Sequence, residues 1–128
     1  MRYRLMDILI CPVCKNYPLE LHVFEKVDQT QSEQPKATCE MYCSYNNIKP
    51  SDKDKNLLLE DCKRCLAVKI KWGMILCTKC GRWFPISEEI PVMLPDDLRK
   101  TKEDTDFLKM FEKAIPWEVM SKGKPTHL

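Results

Sequence analysis

Two short cysteine pairs carry the clearest chemistry in this chain. Cys11-Pro12-Val13-Cys14 and Cys77-Thr78-Lys79-Cys80 are both C-x-x-C units. Two intervening residues curl the backbone so that both sulfurs of a unit face one ion. Two such turns supply the tetrahedral four-thiolate shell of a structural zinc. One C-x-x-C alone also suits a redox dithiol; the second pair moves the reading to metal. A rubredoxin-type iron centre is the rival, being a four-thiolate tetrahedron as well. Buried cysteines packed as small hydrophobes are the plain alternative, but that role does not require paired spacing. Zinc binding worth roughly 10–16 kcal/mol can hold together a lobe too small for a core of its own. Four protein ligands leave no open coordination position, so an ion at Cys11, Cys14, Cys77 and Cys80 is expected to be structural, not catalytic. Gly81, directly after the second pair, suits a positive-φ exit from the turn.

The other four cysteines also come in pairs, Cys39 with Cys43 and Cys62 with Cys65. Spacings of i, i+4 and i, i+3 put two sulfurs on one helix face. An antiparallel pair of helices over 37–46 and 57–66 would set Cys39 against Cys65 and Cys43 against Cys62, with the turn near residue 52. Disulfides, a second zinc or reduced core thiols all satisfy that arrangement. Cytosolic disulfides are rare outside hyperthermophiles.

The elements that must position these groups are short. Residues 19–23 alternate apolar and polar as a half-buried strand does, and the polar stretch 25–38 reads as a loop. Residues 68–72 alternate again, Gly73 offers a turn, and Met74-Ile75-Leu76 follows. A third extended segment spans 82–86. The run Ile90-Pro91-Val92-Met93-Leu94-Pro95 is apolar and flanked by prolines, which places it at a sheet edge. Asp96-Asp97 marks a helix start, and Phe107, Leu108, Phe111 and Ile115 form a stripe at helical spacing that Pro116 is expected to stop. Residues 121–128 look frayed.

Composition bounds the function. The chain has 128 residues, 21 Lys+Arg against 19 Asp+Glu, and a formal net charge of +2. That balance argues against a protein that mainly wraps nucleic acid. No apolar stretch approaches the roughly 20 residues that span a bilayer. Asp7 interrupts the N-terminal apolar segment and no cleavage site follows, so a soluble, cytoplasmic chain is expected. Catalysis by this chain is poorly supported. His22 lies in an alternating strand and His127 near the terminus, and there is no Ser-His-Asp set, phosphate-binding glycine loop or H-E-x-x-H pattern.

With these pieces placed, the chain resembles the small zinc-containing activator subunit shared by tRNA, ribosomal RNA and translation release factor methyltransferases of archaea and eukaryotes. Leu5-Met6-Asp7-Ile8-Leu9-Ile10 leading into the first knuckle carries the likeness. So does Ile75-Leu76 leading through the second knuckle into Gly81-Arg82-Trp83-Phe84-Pro85-Ile86 and Ile90-Pro91-Val92-Met93-Leu94. The resemblance implies a non-catalytic partner of S-adenosylmethionine-dependent methyltransferase subunits, forming heterodimers with several alternative partners and reaching RNA only through the complex. It also implies an α+β fold in two lobes. One is a zinc-ribbon-like lobe (1–30 and 66–100) whose small antiparallel sheet is formed by both chain ends. The other is an inserted helical lobe (31–65), and 101–128 forms a C-terminal helix and tail.

The residues support one part of this directly. Ile90, Val92, Met93 and Leu94 cannot all point into a small sheet, because alternate side chains leave on opposite faces. A short apolar edge suits strand addition by a partner, and Met adds adaptability for several partners. Arg82, Phe84, Ile86, Ile90, Val92, Met93 and Leu94 are therefore the expected interface. The competing reading is a zinc-ribbon nucleic-acid binder using Lys69, Lys71, Lys79 and Arg82 with Trp72 and Trp83 for stacking.

Overall fold

The computed structural model describes residues 1–28, 37–52 and 55–128, with 55–57 described by backbone alone. The fold is mixed α/β, built on one four-stranded antiparallel sheet: β1 (Glu20–Asp28), β2 (Val68–Leu76), β3 (Trp83–Ser87) and β4 (Ile90–Pro91), in that spatial order. Three helices accompany it among the described residues: α1 (Lys55–Leu66), α2 (Thr101–Met110) and α3 (Trp117–Lys122).

The expectation of a sheet formed by both chain ends is corrected. The strands come from 20–28 and 68–91, and each chain end attaches to the sheet by a pair of backbone hydrogen bonds. The Met1 ammonium donates to the Ile70 carbonyl (2.9 Å), and the Ile70 N–H donates back to the Met1 carbonyl (2.6 Å). At the other end the Trp83 N–H donates to the Lys124 carbonyl (3.1 Å), and the Lys124 N–H to the Gly81 carbonyl (3.1 Å). The tail expected to be frayed is thus docked, and the Trp83 indole N–H donates to the Thr126 carbonyl (2.8 Å).

Gly73 is not a turn but the middle of one continuous strand. A Cβ there would lie 2.6 Å from the His22 carbonyl of β1, so glycine is used for close strand approach. Two compensating bulges follow. Val23 pairs with Gly73, Glu25 with Trp72 and Lys26 with Ile70, leaving Phe24 and Lys71 as the extra residues. The second bulge turns Ile70 onto the opposite face from Trp72, so each face of β2 gains an apolar set.

Two cores result. On one face Met6, Cys11, Leu19, Ile70, Ile75, Cys77, Phe84 and Ile86 are buried. On the other lie Met74, Leu76, Trp83, Phe107, Leu108, Ile115 and Val119, with Phe24, Trp72 and Phe111 against them. Phe107, Leu108 and Ile115 pack inward as their stripe predicts, but α2 ends at Met110. Pro116 is the N-cap of α3 instead of the stop of the longer helix, in keeping with its pre-set φ and missing N–H.

The helix expected over 37–46 does not form. The Asp7 carboxylate accepts the backbone N–H groups of Glu40 (3.0 Å), Met41 (2.7 Å) and Tyr42 (2.8 Å), and Cys43 and Ile48 pair across a tight turn with Asn47 at φ 54°. A carboxylate from outside the segment takes the donors as it would at a cap. Desolvation works against its charge, yet these bonds hold the Asp7 pKa below the usual carboxylate value. The second expected helix is present as α1. Strand β1 runs on to Asp28, past the expected loop start, and the rest of that loop at 29–36 lies outside the described residues.

Ser87-Glu88-Glu89-Ile90 closes the β3–β4 hairpin with both central residues at positive φ, 46° and 72°. Two-residue hairpins of this kind favour Asn-Gly because the left-handed region costs other residues roughly 1–2 kcal/mol each. Replacing Glu88-Glu89 by Asn-Gly is expected to stabilise the fold by about 1–2 kcal/mol. The thermal midpoint in a circular dichroism melt should rise by several degrees. The Lys69–Glu89 pair lost in doing so is 3.7 Å apart and largely solvated, so it contributes little. An unchanged or lowered midpoint counts against this account.

Candidate metal centre

Two matching backbone turns bring the four predicted ligands together. In the first, the Lys15 N–H donates to the Cys11 carbonyl (3.0 Å) and the Cys11 N–H to the Asn16 carbonyl (3.1 Å). In the second, the Gly81 N–H donates to the Cys77 carbonyl (2.9 Å) and the Cys77 N–H to the Arg82 carbonyl (2.8 Å). The residue after each second cysteine has positive φ, Lys15 at 64° and Gly81 at 77°. The two knuckles are therefore near copies, one using glycine where the other spends strain on lysine. A Cβ at Gly81 would meet nothing within 4 Å, so only its backbone conformation favours glycine.

The sulfurs of Cys11, Cys14, Cys77 and Cys80 all lie within 4.8 Å of one another. Cys11 and Cys80 approach to 3.8 Å, Cys14 and Cys77 to 3.5 Å. A tetrahedral ion with about 2.3 Å metal–sulfur bonds requires sulfur–sulfur edges of about 3.8 Å, so the donor set fits. Cys11 and Cys77 are fully buried, whereas Cys14 and Cys80 are partly exposed.

The thiols divide electrostatically. At Cys80 desolvation opposes the thiolate, but hydrogen bonds from the Arg82 backbone and side chain, helped by Cys77 and Cys11, bring its pKa down to about 7. At Cys14 the Asn16 N–H favours the thiolate, but desolvation and the three neighbouring sulfurs push the pKa up to about 11. Four thiolates cannot be ionised side by side without a cation, and a dication removes the conflict. Arg82 is tied down by two hydrogen bonds to Asp96 (2.9 and 2.8 Å), so it stands as a fixed donor beside Cys80.

A sequence model described as Trm112p-like protein matches residues 2–89, more than half of the chain. The chain belongs to the Trm112p-like family. Members of this family are non-catalytic activator subunits of methyltransferases. Among curated proteins none matches the chain. The matched span takes in both knuckles and the sheet up to the β3–β4 turn.

The remaining predicted residues fall into distinct environments. Phe84 and Ile86 are fully buried in the first core, and Arg82 pairs with Asp96. Ile90 is 64% exposed and Leu94 37%, with Val92 and Met93 half-buried and Met93 packed on the first core. β4 is an edge strand, and the Val92 N–H donates to the Pro85 carbonyl (2.9 Å). Sequence reasoning did not single out Ile8 (73% exposed), Ile10, Val13 and Met41 as exposed apolar side chains around the first knuckle. The signal for Ile8 and Ile10 was an apolar run broken only by Asp7, which spends its carboxylate on the 40–42 backbone.

The residues offered for nucleic-acid binding do not make a stacking face. Trp83 is fully buried under Arg99, and Trp72 packs on Phe111 with ring centres 5.5 Å apart. Lys69 faces Glu89, Lys71 faces Glu25 and Arg82 faces Asp96. His22 Nε2 lies 2.6 Å from a Glu20 carboxylate oxygen, off the line a hydrogen bond needs. His127 Nδ1 sits 3.2 Å from the Gly123 carbonyl. Among the described residues no helix is long and apolar enough to cross a membrane.

Proposed function

We propose that the chain carries one zinc ion on Cys11, Cys14, Cys77 and Cys80. In this reading it activates S-adenosylmethionine-dependent methyltransferases that modify tRNA, ribosomal RNA or translation release factor. It docks as a heterodimer through the β4 edge and the 90–94 run, one partner at a time. Zinc supplies no reaction step here; it fixes the two knuckles against the sheet. Residues 1–30 and 66–100 act as the zinc lobe, 31–65 as an inserted lobe, and 101–128 as a brace on the second sheet face. The protein would work in the cytoplasm.

One observation carries the docking assignment: the apolar segment after the hairpin sits at the sheet edge and keeps Ile90 and Leu94 open while Met93 anchors the run from beneath. Backbone groups along an edge give a partner strand its affinity, and alternate side chains give specificity. Phe84 and Ile86 serve by stiffening β3 from within, and Arg82 by linking the zinc knuckle to the segment that follows the run. Ile8, Ile10 and Val13 add a second apolar area that a partner can cover.

The double variant Ile90→Asp/Val92→Asp should keep its metal content and circular dichroism spectrum while losing roughly 100-fold in affinity for a methyltransferase subunit. That corresponds to two apolar contacts of about 1.5 kcal/mol each. Titration calorimetry against a co-purified catalytic subunit measures it. Unchanged affinity would remove the edge assignment. A steep loss of wild-type binding with rising salt would instead mark an electrostatic interface.

A further inference from the structure

The second set of cysteines lost its helix pair, yet all four still border one cavity. Cys39, Cys43, Cys62 and Cys65 line one small cavity together with Tyr3, Arg4 and Asp61. Cys43, Cys62 and Cys65 are buried and Cys39 is half-buried. We propose that these four residues form a second four-thiolate site for a thiophilic divalent ion of the zinc class, which closes the inserted segment onto α1 and the N-terminal turn.

The geometry supplies three arguments. The ligands come from two stretches of backbone distant in sequence, as at the first site. Cys62 and Cys65 lie at i, i+3 on α1, and Cys43 is held by reciprocal backbone bonds with Ile48 (2.8 and 3.2 Å). The cavity between them offers about 10 Å³ to the centre of a water-sized sphere, the space of one water or ion and no more. Finally, among the described residues this part of the chain has only a small apolar core. Its own core consists of Cys43, Leu58 and Cys62, with Tyr45 and Ile48 at the margin. Small metal-bound units depend on the ion where apolar burial is this slight.

The sulfurs are more widely spread than those of the first site, the one set among the described residues whose members all lie within 4.8 Å. Binding must therefore draw them inward by shifting side chains into the void. Each cysteine that ligates gives its proton to solvent, and four thiolates around a dication leave a net charge of −2 beside Arg4. Disulfide formation would remove two electrons per bond and needs an oxidant, whereas metal binding needs only the ion.

Elemental analysis of the full chain should give two zinc ions per molecule. Cys62→Ser/Cys65→Ser should give one, the ion held by the two knuckles, which separates this site from the first. Should a variant fail to fold, the wild-type protein answers alone: native iodoacetamide treatment should leave all eight cysteines unlabelled until a chelator is added. Labelling of Cys39, Cys43, Cys62 and Cys65 while one zinc is retained would overturn the proposal. So would an intact mass short of two hydrogens per cysteine pair.

Discussion

Replacing Cys77 by serine is expected to cost the protein its fold, not merely its metal. Cys77 is fully buried in the first core beside Cys11, Ile75 and Phe84, and it joins the end of β2 to the start of β3. Losing a thiolate from a four-sulfur zinc site forfeits much of a binding free energy of about 10–16 kcal/mol. The whole stability of an ordinary domain is only about 5–15 kcal/mol. The variant should lose its cooperative melt and the zinc held by the two knuckles. Dialysis of the wild type against a strong chelator should do the same, reversed on adding zinc. The protein should be colourless as isolated; a thiolate-to-iron charge-transfer band would identify a rubredoxin-type centre instead. A Cys77→Ser protein that keeps its full zinc content and its wild-type melting temperature would refute the structural role.

The knuckles were readable in the sequence because their chemistry is local. Two residues between cysteines, and a glycine after the second pair, specify a turn without reference to anything else. Lys15 shows the limit of that reading: the first knuckle has the same positive-φ exit with no glycine to announce it. The apolar stripe of α2 was legible for the same reason of local periodicity. What could not be read was decided by groups distant in sequence. Asp7 captured the 40–42 donors and replaced an expected helix with a loop, although Cys39, Cys43, Cys62 and Cys65 still line one cavity. Gly73 looked like a turn because its partner, the His22 carbonyl on β1, is invisible from its neighbours. The docked tail likewise depends on Trp83 and Asp104, far upstream of Lys124 and Thr126.

That tail leads to the second large effect. Asp104→Ala is expected to destabilise the protein by about 3–5 kcal/mol, because it leaves a buried guanidinium without its counter-charge. The Arg99 and Asp104 side chains are 3% and 6% exposed, and they meet at 2.9 Å. Arg99 also donates to the Trp83 carbonyl (2.7 Å) and lies 4.7 Å above the Trp83 ring, while Asp104 accepts from the Thr126 hydroxyl (3.2 Å). The pair therefore ties α2 and the C-terminal tail to β3, whose other face rests on the zinc-bearing core. Removing it should loosen the cover over Trp83, shifting tryptophan emission to the red and lowering the melting midpoint by ten degrees or more, at roughly 3–5 °C per kcal/mol. Arg99→Met in the same chain should recover part of the loss, since an apolar pair of similar volume no longer strands a charge. If Asp104→Ala melts within about 1 kcal/mol of wild type, or Arg99→Met deepens the defect, the brace is held by packing of Phe107, Leu108 and Val119 and not by the ion pair. A loosened brace should also weaken partner binding at β4 without any change in the 90–94 side chains, because β3 alone pairs β4 to the sheet.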